Sequence, residues 1–82
     1  MILQHKIQKI RIGSPGKFDE VFGLQAQTHP WLMESLYTIM WLDTGEQVAG
    51  VGSFHSPLAA AQYVFECRSK MIDRKIEDEL LL

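Results

Sequence analysis

Cys67 and His55 are the one nucleophile-and-base combination in this chain that merits weighing. A thiol activated by an imidazole is the chemistry of cysteine hydrolases. The surroundings argue against it. Cys67 falls between Val64 and Met71, where a small apolar packing residue is expected, and His55 stands just ahead of Ser56, a position that belongs to a turn. The histidines at 5, 29 and 55 are scattered, and no H-x-x-x-H or C-x-x-C spacing exists to hold a metal. The "GSPGK" at 13–17 is half of a phosphate-binding loop, but Phe18 occupies the place of the hydroxyl that would follow the lysine. Glu34, Asp43 and Glu46 carry no signature that would bring two carboxylates together for acid/base work. The expectation is therefore a protein without enzymatic activity, metal or cofactor.

Cations and aromatics offer a different chemistry, that of recognition. Lys6, Lys9, Arg11 and Lys17 are the charges of residues 1–17, with no acid among them, whereas from Phe18 to Cys67 every charge is acidic. The basic stretch could contact phosphates, which makes nucleic-acid binding the first alternative. It ranks below protein binding because the aromatic residues lie in the acidic half, and because cations on a first strand also protect a sheet edge from mispairing. Arg68 raises a sharper question. At 100° per residue, Ala61, Val64, Phe65, Met71 and Ile72 gather on one side of a helix, with Leu58 and Ile76 on one flank and Ala60 on the other. Arg68 falls near the centre of that arc. Either its stem covers apolar surface while its head reaches an acid such as Glu34 or Asp43, or Arg68, Met71 and Lys75 overhang the sheet and face a partner.

The elements that must position these residues follow from pattern. Ile7, Ile10 and Ile12 suggest a strand whose broken alternation calls for a bulge. The Gly- and Pro-rich 13–17 ends it in a turn. Phe22, Leu24 and Ala26 alternate with Gly23, Gln25 and Gln27 as a strand wet on one face, and "THP" at 28–30 interrupts it. A third strand is expected over roughly 34–42, although Pro30 leaves a helix through about Leu36 open. "DTGE" at 43–46 is a hairpin connection leading to a fourth strand at 48–54, which glycines 50 and 52 weaken. Ser56 as cap and Pro57 at the first helical position open a long carboxy-terminal helix.

The fold class expected is α+β in two layers: an antiparallel sheet of about four strands, and one long C-terminal helix packed on one face, in a single domain over residues 1–82. A chain of this size buries roughly 60–65% of its unfolded surface, so its stability margin is thin. With one cysteine it has no internal disulfide, which suits a reducing compartment. "MILQHKIQKIRI" is too interrupted by Gln, His and Lys for a signal peptide, no apolar run is long enough to span a bilayer, and a cytoplasmic location is expected.

In the third strand, Leu36, Met40 and Leu42 point one way and Tyr37, Ile39 and Trp41 the other. Both faces are apolar, and one helix covers one face. Tyr37, Ile39 and Trp41 are therefore expected either to await a partner, with Trp31 as a further apolar anchor, or to be roofed by the 13–31 loop with its Phe18 and Trp31. In size and order of elements the chain resembles small phage-encoded inhibitors and bacterial immunity or adaptor proteins. That resemblance implies a partner protein of unspecified identity. Self-association through a bare sheet face or the terminal "LLL" is a further form of the same expectation.

Overall fold

The computed structural model describes residues 7–13, 16–29, 31 and 33–81. Among the described residues three antiparallel strands, β1 (Ile7–Arg11), β2 (Phe18–His29) and β3 (Glu34–Trp41), lie side by side in chain order and are followed by one helix, α1 (Pro57–Leu80). This is the expected α+β arrangement without the expected fourth strand at 48–54. The segment 47–54 touches the outer edge of β3 at two isolated places, Gln47 opposite Met40 and Phe54 opposite Tyr37. Phe54 and Tyr37 exchange both backbone hydrogen bonds, at 2.7 and 2.8 Å. Between them the chain turns away from β3, with Gly50 at φ 78°. A left-handed residue breaks the ladder and turns the expected strand into two anchor points.

The β1–β2 pairing shows the expected irregularity, but the surplus residues lie in β2. From Lys9 to Arg11 β1 advances two residues, while β2 runs five, from Gly23 back to Phe18. The extra length leaves amides in β2 without ladder partners. Asp19 supplies them: its Oδ1 accepts from the amides of Val21 at 2.8 Å and Phe22 at 2.9 Å. β2 and β3 by contrast pair without interruption from Phe22 opposite Trp41 to His29 opposite Glu34. The 43–46 turn closes as expected, with the amide of Gly45 donating to the carbonyl of Trp41 at 2.8 Å.

α1 begins where capping chemistry places it. The Ser56 hydroxyl accepts from the amide of Ala59 at 3.0 Å, and Pro57 follows at a position that needs no amide donor. Ala60, Val64 and Met71 are the buried positions of the helix. They pack with Ile10, Phe22, Leu24, Ile39, Trp41 and Val48 into one core. No described helix is long and apolar enough to cross a membrane.

Two expectations about facing are corrected. Ile39 and Trp41 do not lie on an uncovered face: they are 1% and 8% exposed and pack under α1, with Tyr37 half-buried beside them. The strand-to-strand register gives the reason. Residues directly opposite in a ladder share a face, so Phe22 with Trp41, Leu24 with Ile39 and Ala26 with Tyr37 form one side. β2 is apolar on that side and carries Gly23, Gln25 and Gln27 on the other, so the helix covers the side that β2 makes apolar. No loop roofs them either: residues 18–29 of the expected 13–31 loop form β2, Trp31 is 78% exposed and Phe18 is also exposed. The helix, in turn, is rotated from the expected arc by on the order of 70°. Phe65, expected against the sheet, is 82% exposed, and Ala60, expected on a flank, is fully buried.

Candidate functional site: the outer face of the helix and the hairpin groove

Rotation of α1 decides the fate of the cations. Arg68 moves from the middle of the apolar arc to its rim, where its Nε donates to Oδ2 of Asp19 at 3.1 Å. Its partner is thus neither Glu34 nor Asp43. Glu34 instead pairs through Oε1 with Nδ1 of His55 at 2.7 Å. The guanidinium carbon of Arg68 also stands 5.9 Å from the centroid of the Phe22 ring. Asp19 is 3% exposed, and Arg68 remains 43% exposed at its side chain. Burial pushes the Asp19 carboxyl up, but the amides of Phe22 and Val21 and the guanidinium of Arg68 outweigh it. The group is held below the usual carboxylate value.

The other residues expected to meet a partner at this end are engaged internally. Met71 is buried in the core. Lys75 lies over Trp41, with Nζ 4.2 Å from the ring centroid, and closes the edge of the core by a cation–π contact. Of the expected anchors Trp31, Tyr37, Ile39 and Trp41, the first is the exposed one, at the β2–β3 turn near the still more exposed Met33. Cys67 is half-buried against the core and lines a cleft with Lys70 and Arg74 rather than with His55. Among the described residues no three His, Cys, Asp or Glu side chains converge to hold a metal ion.

What the structure brings together is a surface most of which the sequence pattern assigned to the core. Leu58, Phe65 and Ile76, with Leu80 of the terminal "LLL", are all exposed, and Ile72 is half-buried between them with one side against the core. Their spacing of seven, seven, four and four residues puts them in one stripe along α1, roughly 140° around the axis from Ala60 and Val64. Where the stripe passes the β1–β2 hairpin it becomes one wall of a groove. Phe65 and Ala61 form the helix side; Ile12 and Phe18, both exposed, form the hairpin side. Arg11, Lys17 and Arg68 line the same groove, together with the acids Asp19 and Glu20. Two of the basic residues picked out in the sequence, Arg11 and Lys17, thus share one groove with aromatic side chains through the fold. Lys9 shares the opposite face of the sheet with Gly23 and Met40, and Lys6 lies outside the described residues.

Sequence reasoning missed Phe65, Leu58, Ile12 and Phe18 as surface residues. A signal existed: the helix has more apolar positions than a 100° arc holds, and Arg68 at the centre of the proposed arc marked that arc as wrong. Comparison of the chain with protein-family models, with curated proteins and with solved structures finds no match, so the site stands on its own geometry.

Proposed function

We propose that the protein is a non-enzymatic protein-binding module whose binding surface is the outer stripe of α1 together with the hairpin groove. One observation carries the reading: Phe65 stands 82% exposed in the middle of an apolar stripe, flanked by Leu58, Ile72 and Ile76. A large aromatic among aliphatic neighbours is the composition of an interface centre, and the charges beside it form a polar rim. A small inhibitor or adaptor of a larger protein would use such a surface. The test is capture from the native host with wild-type protein and with Phe65→Ser and Leu58→Ser variants, followed by identification of the captured proteins. A partner held by the wild type and lost by both variants, with the variants' circular dichroism unchanged, supports the reading. Equal capture by all three refutes it.

Nucleic-acid binding is a second reading, favoured by the convergence of Arg11, Lys17, Phe18 and Phe65 on one groove. Exposed rings that stack on bases beside cations that meet phosphates are the elements of single-strand recognition. Titration of a labelled oligonucleotide at about 50 and 200 mM salt tests it. Binding that falls steeply with salt and disappears in Lys17→Glu would favour this reading; no binding at the lower salt would end it.

A further inference from the structure

We propose that the occupant of the outer stripe is a second copy of this chain, docked as a parallel two-fold pair with the α1 helices side by side. The inference rests on the protein-binding reading above and gives it a specific partner. From Leu58 to Ile76 the spacing of the stripe is that of a two-helix seam. With Leu58, Phe65 and Ile72 at one seam position, Gln62, Ser69 and Ile76 fall at the other, four residues later in each heptad; the seam ends there, because Glu79 takes its next position and Leu80 lies on the flank of Glu66 and Asp73. Gln62 and Ser69 are exposed, and a polar residue at a seam position is a known means of holding register.

Charge then decides the orientation. One flank of the stripe carries Glu66 and Asp73; the other carries Arg68 and Lys75. In a parallel pair, unlike flanks face each other, so Arg68 of one copy stands opposite Asp73 of the other, five residues on, the usual interhelical spacing. Arg68 donates to Asp19 through Nε, and its half-exposed head can turn its remaining donors outward. The hairpin stands on that same side, since Arg11 and Lys17 line one groove with Arg68 and Phe65. The acidic flank of the second copy would therefore approach Arg11, Lys17 and Arg68, whose three charges outweigh those of Asp19 and Glu20 in the same groove. An antiparallel pair instead sets like flanks together, Arg68 against Arg68 and hairpin against hairpin. α1 is about 36 Å long, close to the 41 Å long dimension of the molecule.

Sedimentation equilibrium and disulfide trapping test the proposal on the whole chain. The wild type is expected to sediment as a dimer, and Phe65→Asp to weaken association by at least roughly 30-fold, with helix content unchanged. Because Phe65 is exposed, the variant retains its fold; Asp73→Lys is a second variant expected to weaken association by opposing Arg68 with a like charge. For orientation, Gln62→Cys in a Cys67→Ser background should cross-link to itself on mild oxidation, since seam residues of a parallel pair face their own counterparts. A monomer at all concentrations, a dimer indifferent to Phe65→Asp, or no Gln62→Cys cross-link within a dimer would each overturn the proposal. A monomer whose Phe65→Ser variant still loses its host partner would overturn the dimer alone and leave the protein-binding reading standing.

Discussion

The ammonium of Lys75 lies 4.2 Å from the centroid of the Trp41 ring, and this contact joins the carboxy-terminal half of α1 to the last residue of β3. Trp41 stacks in turn at 4.8 Å on Phe22, whose ring also lies beneath Arg68. Two cations thus bracket a buried aromatic pair. The polar rim of the core is made from the helix itself, with one cation anchored by a buried acid and the other by a ring face.

Replacement of Trp41 by Ala should destabilise the fold by about 3–5 kcal/mol, the usual effect of emptying a large aromatic site. That is a large share of the stability of a domain this small. Lys75→Ala should cost about 0.5–1 kcal/mol. Urea unfolding followed by circular dichroism measures both. A Trp41→Ala protein within 1 kcal/mol of wild type would place the indole outside the core.

Asp19 should make the fold acid-sensitive. Its folded pKa is depressed, so the stabilisation it supplies is fully present above the unfolded value and is lost as pH falls through the folded one. Stability should therefore decline below about pH 4. Asp19→Asn should flatten that decline while lowering stability at neutral pH, because the neutral amide binds Arg68 less strongly. Thermal unfolding of both proteins from acid to neutral pH checks the sign. A steeper acid loss in the variant would contradict it.

Gly23→Ala should be destabilising by about 1–3 kcal/mol, the range of overpacking. An added Cβ would sit 2.5 Å from Cγ2 of Ile7 and 2.7 Å from Cδ2 of Leu42, with the carbonyl oxygen of Gln8 at 3.0 Å. The Leu42 methyl can swing aside; the β-branched Ile7 and the backbone yield less. A variant as stable as wild type would mean that this face of the sheet is loosely packed.

Neighbouring positions on α1 should respond in opposite ways. Val64→Ala, in the core, should cost about 1–3 kcal/mol, whereas Phe65→Ser should stay within about 0.5 kcal/mol at concentrations where the protein is monomeric. Denaturant midpoints at low micromolar concentration compare them. Equal losses at the two sites would mean that the helix face is not the one described.

Ser56→Ala should lower stability by about 1 kcal/mol through loss of the bond to the amide of Ala59. Ser56→Asp, which keeps an acceptor, should restore most of it. Failure of the aspartate to restore stability would assign the loss to something other than the cap.

Local chemistry was legible in the sequence. Ser56 and Pro57 set the start of α1, the glycines at 13, 16 and 45 adopt left-handed conformations in the two turns, and β3 falls where its β-branched and aromatic residues placed it. Each of these follows from interactions within a few residues, which periodicity and turn chemistry report. Facing was not legible in this way. β3 is apolar on both sides, so its own pattern leaves its phase open; the pairing of Phe22 with Trp41 and Leu24 with Ile39 decides it from across the ladder. The acid that receives Arg68 lies 49 residues away in the chain and turns inward because the unequal β1–β2 pairing leaves amides for it to bind. By itself, then, the sequence determined the order of the three strands and the helix, the turn at 43–46 and the cap of α1. The tertiary structure alone decided which side of β3 and which arc of α1 are buried, because that choice depends on what lies opposite, and with it which apolar residues remain outside.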